Sequence, residues 1–169
     1  NNKMKNIYKI LIAFVSVLAV SCNADDVEDR PVVEASTAPV LLSPKSDFNI
    51  VLELANSAGL ATTFVWDDAQ YEGSTTVVNY NIEIAKAGTN FESPAVAGTT
   101  TEKFKNFTVE ELNAAALNIG LAPFVEGQID VRIKSTVGAV GSIHQISNFY
   151  TIKVTHYPAW DNWGIIGSA

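Results

Sequence analysis

The sequence is poor in most of the residues that carry chemistry. It has one cysteine, Cys22, and two histidines, His144 and His156, in 169 residues. A single cysteine excludes an intrachain disulfide framework and a cysteine-based structural metal site. The histidines do not stand at the i, i+4 helical spacing, and no second cluster offers metal ligands. Positive charge is also scarce, with 11 Lys and Arg against 18 Asp and Glu, a formal charge of -7. That balance excludes the basic footprint of a nucleic-acid binder and a polybasic grip on anionic lipid. There is no G-x-S-x-G elbow and no phosphate loop. Two adjacent acid pairs exist, Asp67 with Asp68 and Glu110 with Glu111. Strand neighbours point to opposite faces and helix neighbours diverge by about 100°, so neither pair converges as a glycosidase requires. No enzyme activity, no cofactor and no metal is expected.

What is present begins with a targeting segment. Lys5 and Lys9 give a positive start, and residues 10–20 form an apolar run interrupted only by Ser16. A run of roughly 7–15 apolar residues behind positive charge is a secretory signal, whereas a spanning helix needs about 20. Met4 is the expected natural start. Ala19, Val20 and Ser21 bring small or modest side chains up to Cys22, with Leu18 one place further from the cysteine than in the common lipoprotein pattern. Residues 1–22 are therefore read as a lipoprotein signal ending at the lipidated Cys22. Each buried CH₂ contributes about 0.8 kcal/mol. Several acyl chains on one cysteine make a lasting anchor, and function is expected at a membrane surface.

Residues 23–37 hold Asp25, Asp26, Glu28 and Asp29 in a segment broken by Pro31. Such a stretch buries too little apolar area to fold and is expected to be a flexible tether. Its acidic cluster has two readings, solvation of the tether or an export address. Behind it, residues 38–157 show period-two alternation. Phe48, Ile50, Leu52 and Leu54 share one face, as do Tyr80, Ile82 and Ile84; Ile129, Val131 and Ile133; and Tyr150, Ile152 and Val154. The intervening Glu83, Asp130, Arg132 and Lys134 are expected in water. One segment differs. Thr108 followed by Glu111 reads as a capping box, Leu112, Ala115, Ala116 and Leu117 share a helical face, and Gly120 can end the helix. The pattern predicts an all-β, immunoglobulin- or fibronectin-III-like antiparallel sandwich of about seven strands, with one short crossover helix and Trp66 central in its core. Neither a tyrosine corner nor an inter-sheet disulfide is available, so the sandwich is generic. Tyr157, Trp160 and Trp163 form either a carbohydrate platform or a hinge into a further module. The second reading is favoured because Trp163 leads straight into an apolar strand. Residues 158–169 are accordingly read as linker and first strand of a module that continues beyond Ala169.

The order of these features resembles that of SusE-type outer-membrane lipoproteins of Bacteroidetes. The resemblance rests on the cysteine and acidic tether, Ala38-Pro39-Val40-Leu41-Leu42-Ser43-Pro44 and Phe64-Val65-Trp66. Further along it rests on Glu111-Leu112-Asn113, Val131-Arg132-Ile133-Lys134-Ser135, Ser147-Asn148-Phe149, Val154-Thr155 and the closing Trp163-Gly164-Ile165-Ile166-Gly167-Ser168-Ala169. The acidic residues behind Cys22 also resemble the surface-export signal of such lipoproteins. The resemblance implies an N-terminal anchor and spacer domain of a cell-surface protein that binds starch or a related polysaccharide. Glycan contacts would lie in downstream modules, beside a TonB-dependent transporter and a SusD-like lipoprotein. No carbohydrate-binding residue can be carried onto this sequence. The alternative is a protein-interaction module that docks onto a transporter or neighbouring lipoprotein.

Overall fold

The computed structural model describes residues 32–73, 77–138 and 143–159. Every described element lies in one compact unit that begins at Val33. Cys22, the acidic cluster, Trp160 and Trp163 lie outside the described residues.

Ten strands and one α-helix are found among the described residues. In chain order they are β1 (Glu34–Thr37), β2 (Val40–Ser43), β3 (Asn49–Val51), β4 (Leu60–Asp67) and β5 (Gln70–Glu72). There follow β6 (Asn79–Lys86), β7 (Ala95–Thr100), β8 (Phe104–Thr108), α1 (Val109–Asn118), β9 (Glu126–Val137) and β10 (Ile143–Thr155). One sheet has the order β3-β10-β9-β6-β7 and the other β2-β4-β8, with a β1-β5 ribbon beside them. All pairs are antiparallel except β3 with β10. The expected all-β sandwich is present. The strands beyond about seven are short: β1 takes four residues from the stretch expected as tether, and β5 and β3 hold three each.

Alternation explains the core. Tyr80, Ile82 and Ile84 on β6, Ile129, Val131 and Ile133 on β9, and Ile152 and Val154 on β10 are all buried. They belong to one apolar cluster with Leu41, Phe64, Trp66 and Phe107 of the smaller sheet. Trp66 is 1% exposed, as its central position predicts. Its ring lies 5.5 Å from that of Tyr80, and Phe64 meets Phe107 edge-on at 5.1 Å. Truncating such aromatic residues to alanine costs about 3–5 kcal/mol. One expected face breaks early. β3 ends at Val51 and Leu54 opens a 3-10 turn, so Leu54 is 49% exposed while Leu52 is buried.

The helix follows from local rules. Glu111 N–H donates to Thr108 Oγ1 (3.2 Å) and Thr108 N–H donates to Glu111 Oε2 (2.8 Å), completing the capping box. At the other end Gly120 takes φ +76°, its N–H bonds Leu117 O, and the Leu121 N–H bonds Ala116 O. This is a Schellman closure, which needs a residue tolerant of positive φ. The helix carries the chain from β8 in the small sheet to β9 in the large one, the crossover that the sequence predicts.

The seam between the sheets is closed by a side chain. β10 pairs with β9 at Ile146↔Lys134 and next at Phe149↔Arg132, so Ser147 and Asn148 oppose Ile133 alone. This is a β-bulge. Ser147 Oγ accepts the Ile133 N–H at 2.8 Å. Asn148 then reaches β2: its Oδ1 accepts the Leu41 N–H (2.8 Å) and its Nδ2 donates to Leu41 O (3.1 Å). A carboxamide carries the same donor and acceptor as a peptide group, so Asn148 acts as one residue of partner strand. Because Leu41 is fully buried, Asn148→Ala is expected to lower stability by about 1–3 kcal/mol in urea unfolding.

Tyr80 supplies a pH signature. Its hydroxyl accepts the Ala69 N–H at 3.1 Å, and burial raises its pKa above the ordinary 10.0. The folded chain then holds the phenolic proton more tightly than the unfolded one. Its contribution is fully present below the unfolded pKa and is lost as pH rises through the raised folded value. Unfolding midpoints should therefore fall above pH about 10, and less steeply in Tyr80→Phe.

Candidate functional site

The residue types that could carry chemistry are dispersed. Asp67 and Asp68 are exposed at the end of β4, where Asp68 meets Lys103 at 3.2 Å. Glu110 and Glu111 are exposed in the first turn of α1, and Glu111 is engaged by the cap. His144 is exposed on β10, whereas His156 is 1% exposed just past its end. His156 Nδ1 lies 3.1 Å from Tyr157 O. Tyr157 is not a free stacking platform. Only 9% of it is exposed, its N–H donates to Asn113 Oδ1 (2.8 Å), and burial, followed by the charge of Glu110, raises the pKa of its hydroxyl. Among the described residues no group of three or more His, Cys, Asp or Glu could hold a metal ion.

The structure does assemble one cluster, on the outer face of the five-stranded sheet. Glu83 of β6 faces Arg132 and Lys134 of β9, and the expectation that this polar row stands in water fails for Glu83 and Asp130. They are 5% and 4% exposed. The cause is the 87–94 connection, which folds back over the sheet. Gly88, Asn90 and Phe91 all take positive φ, and the Gly88 N–H donates to Asp130 Oδ2 at 3.0 Å. Thr151 Oγ1 donates to the other oxygen of Asp130 at 2.6 Å. The fold-back lays the Phe91 ring 4.1 Å from the Arg132 guanidinium carbon. Phe149 meets Phe91 edge-on at 5.8 Å and is 55% exposed. Beneath the rings Arg132 Nε donates to Glu83 Oε2 at 2.8 Å, and Lys134 Nζ stands 4.0 Å from Oε1.

Glu83 thus has a cation on each oxygen, and Arg132 is held by a carboxylate on one side and an aromatic face on another. The arrangement is a pinned surface patch, with an exposed ring beside a neutralised ion pair. The sequence carried one sign of it. Phe149 is an apolar residue on the otherwise polar register of Thr151 and Lys153. Nothing local marks Phe91, whose position depends on the fold-back.

A family model described as SusE outer membrane protein matches residues 25–134. That span is more than half of the chain. The chain belongs to the SusE outer membrane protein family. No curated protein and no solved structure matches it. As a SusE-family member it is a Sus-system protein of the outer membrane. The match opens at Asp25, inside the acidic segment behind Cys22, and ends at Lys134 within β9. It takes in Glu83, Phe91 and Arg132 and stops before Phe149. Among the described residues no helix of this SusE-family chain is long and apolar enough to cross a membrane.

Removing Arg132 leaves Glu83 buried beside a more distant lysine. Breaking a buried pair from one side costs about 3–5 kcal/mol, less where one partner is partly exposed as Arg132 is. Arg132→Met is therefore expected to lose about 2–4 kcal/mol in denaturant unfolding. The double change with Glu83→Leu should recover most of it, because no unpaired charge then remains buried.

Proposed function

We propose that this SusE-family chain is the anchor and spacer portion of a cell-surface glycan-binding lipoprotein. Cys22 bears the lipid, residues 23–33 are the tether, and the sandwich holds glycan-binding modules away from the membrane. Starch or a related polysaccharide is the substrate class, and a TonB-dependent transporter with its SusD-like lipoprotein are the neighbours served.

One observation carries the reading. The chain enters and leaves the sandwich at opposite ends of its long axis. On the entry side β1 pairs with β5, and Gln70 O of β5 accepts from Gln145 near the start of β10. On the exit side Thr155 lies beside Val51 and Glu126, at the far end of the same strand. Thirteen residues of β10 at about 3.3 Å each separate the two ends by about 40 Å. A domain joined in series in this way adds its length to the tether. Several modules on one anchor also gain avidity through effective concentration.

The test compares three strains for labelled palmitate on the protein and for capture of fluorescent starch by intact cells. The parent is expected to incorporate label and capture glycan. Cys22→Ser should lose both. Deleting residues 34–157 should leave the label and reduce capture. Undiminished capture by the deletion strain would overturn the spacer role, and retained label in Cys22→Ser would overturn the anchor.

A second reading, docking through a sheet edge, has one observation in its favour. β7 is the outer strand of the five-stranded sheet, it runs Ala-Val-Ala-Gly-Thr-Thr without a charge, and Val96 is 55% exposed. Uncharged edges invite strand addition. A photo-crosslinker at Val96 that captures one fixed partner in intact cells would favour docking over a passive spacer.

A further inference from the structure

The outer face of the five-stranded sheet carries two exposed apolar side chains, both from β10. Phe149 is 55% exposed and Ile146 is 40% exposed. Residues three apart on a regular strand point to opposite faces. The bulge at Ser147 and Asn148 adds a residue between these two, so Ile146 stands opposite Lys134 and Phe149 opposite Arg132. Directly opposed residues share a face. An apolar pair on β10 therefore lies beside a cationic pair on β9, away from the core.

The cations are held but not used up. Arg132 gives Glu83 only its Nε, at 2.8 Å. Nη1 and Nη2 have no partner among the described residues, and neither is a buried unpaired atom, so their N–H groups reach water. Phe91 covers the guanidinium at 4.1 Å and fixes its plane. Lys134 Nζ is 4.0 Å from Glu83, with 32% of its side chain exposed. The nearby acids are turned inward or engaged elsewhere. Glu83 and Asp130 are 5% and 4% exposed, and both oxygens of Asp130 accept from Gly88 and Thr151. Glu92 lines a cleft at the end of α1, and Glu126 pairs with Lys153 at 3.1 Å. The charge offered to solvent around Phe149 is therefore positive, in a chain of formal charge -7.

A free guanidinium edge matches a carboxylate, and arginine with aromatic residues anchors many protein contacts. A phosphate would meet only the cations, and a sugar acid the cations and one ring. Covering Ile146 as well takes an apolar side chain next to the acid. We propose that this patch docks an acidic segment of a partner protein. One carboxylate meets the Nη edge of Arg132 and Lys134, and an adjacent apolar side chain lies on Phe149 and Ile146. The site goes beyond the spacer reading, whose length it leaves unchanged, and it is separate from the β7 edge, since β9 and β6 stand between β10 and β7.

Fluorescence anisotropy on the full chain tests it, with a labelled peptide of alternating Glu and Phe as the probe. Control peptides alternate Gln with Phe, or Glu with Ser. The probe is expected to bind saturably and more weakly as salt rises, and each control severalfold less. Phe149→Ser should lower probe binding severalfold with an unchanged unfolding midpoint, because the ring is exposed. Arg132→Lys keeps a cation for Glu83 but removes the planar edge, and should bind as weakly. The proposal is overturned by an absence of saturable binding, by equal binding of the Gln-Phe peptide, or by full binding in Phe149→Ser and Arg132→Lys. Glucuronate displacing the probe as well, mole for mole, as unlabelled peptide does would also overturn it, in favour of an acidic sugar.

Discussion

The sandwich depends on how its first strands change sheets. β2 belongs to the small sheet and β3 to the large one, with only residues 44–48 between them. β2 is the edge strand of the small sheet, so the outward backbone groups of Leu41 have no strand partner, and a fully buried Leu41 cannot take one from water. Asn148 resolves this by offering a carboxamide in place of a peptide group. It can do so only because the bulge in β10 turns it away from β9, and the bulge is tolerable because Ser147 satisfies the Ile133 N–H. The Ser147-Asn148-Phe149 triplet is therefore one device. Its first residue repairs the ladder, its second joins the sheets, and its third emerges on the outer face beside Arg132.

That outer face is organised by the same economy of buried polar groups. Asp130 and Glu83 sit on the register that faces away from the core, and the 87–94 connection covers them. Each is compensated: Asp130 by an amide and a hydroxyl, Glu83 by two cations. Phe91 covers part of the Arg132 guanidinium, and Phe149, packed edge-on against Phe91, stays exposed. Membership of the SusE outer membrane protein family places this surface on a Sus-system protein of the outer membrane.

Much of the fold was legible because its causes are local. Alternation at Ile129, Val131 and Ile133 marks a one-sided strand regardless of what packs on it. Thr108 and Glu111 specify a helix start within four residues, and Gly120 marks its end because few other residues take that φ. Trp66 was identifiable as core from its volume and its place in an alternating run. Leu54 was misplaced because alternation cannot show where a strand stops pairing. The face of Glu83 and Asp130 was misplaced because alternation reports which side of a sheet a residue occupies, not whether something covers that side.

Local pattern alone specifies the all-β class, the crossover helix with both of its ends, the central Trp66 and the likeness to SusE-type proteins. Each is written in periods of two or 3.6 residues, or in motifs spanning a few positions. Long-range packing settles the rest: Asn148 bonds Leu41 across 107 residues, Phe91 lies on Arg132, and Glu83 and His156 are buried. Those outcomes depend on strand register, on a single inserted residue in β10 and on the path of one connection. Such features join segments far apart in the chain, and no local pattern encodes the distance between them.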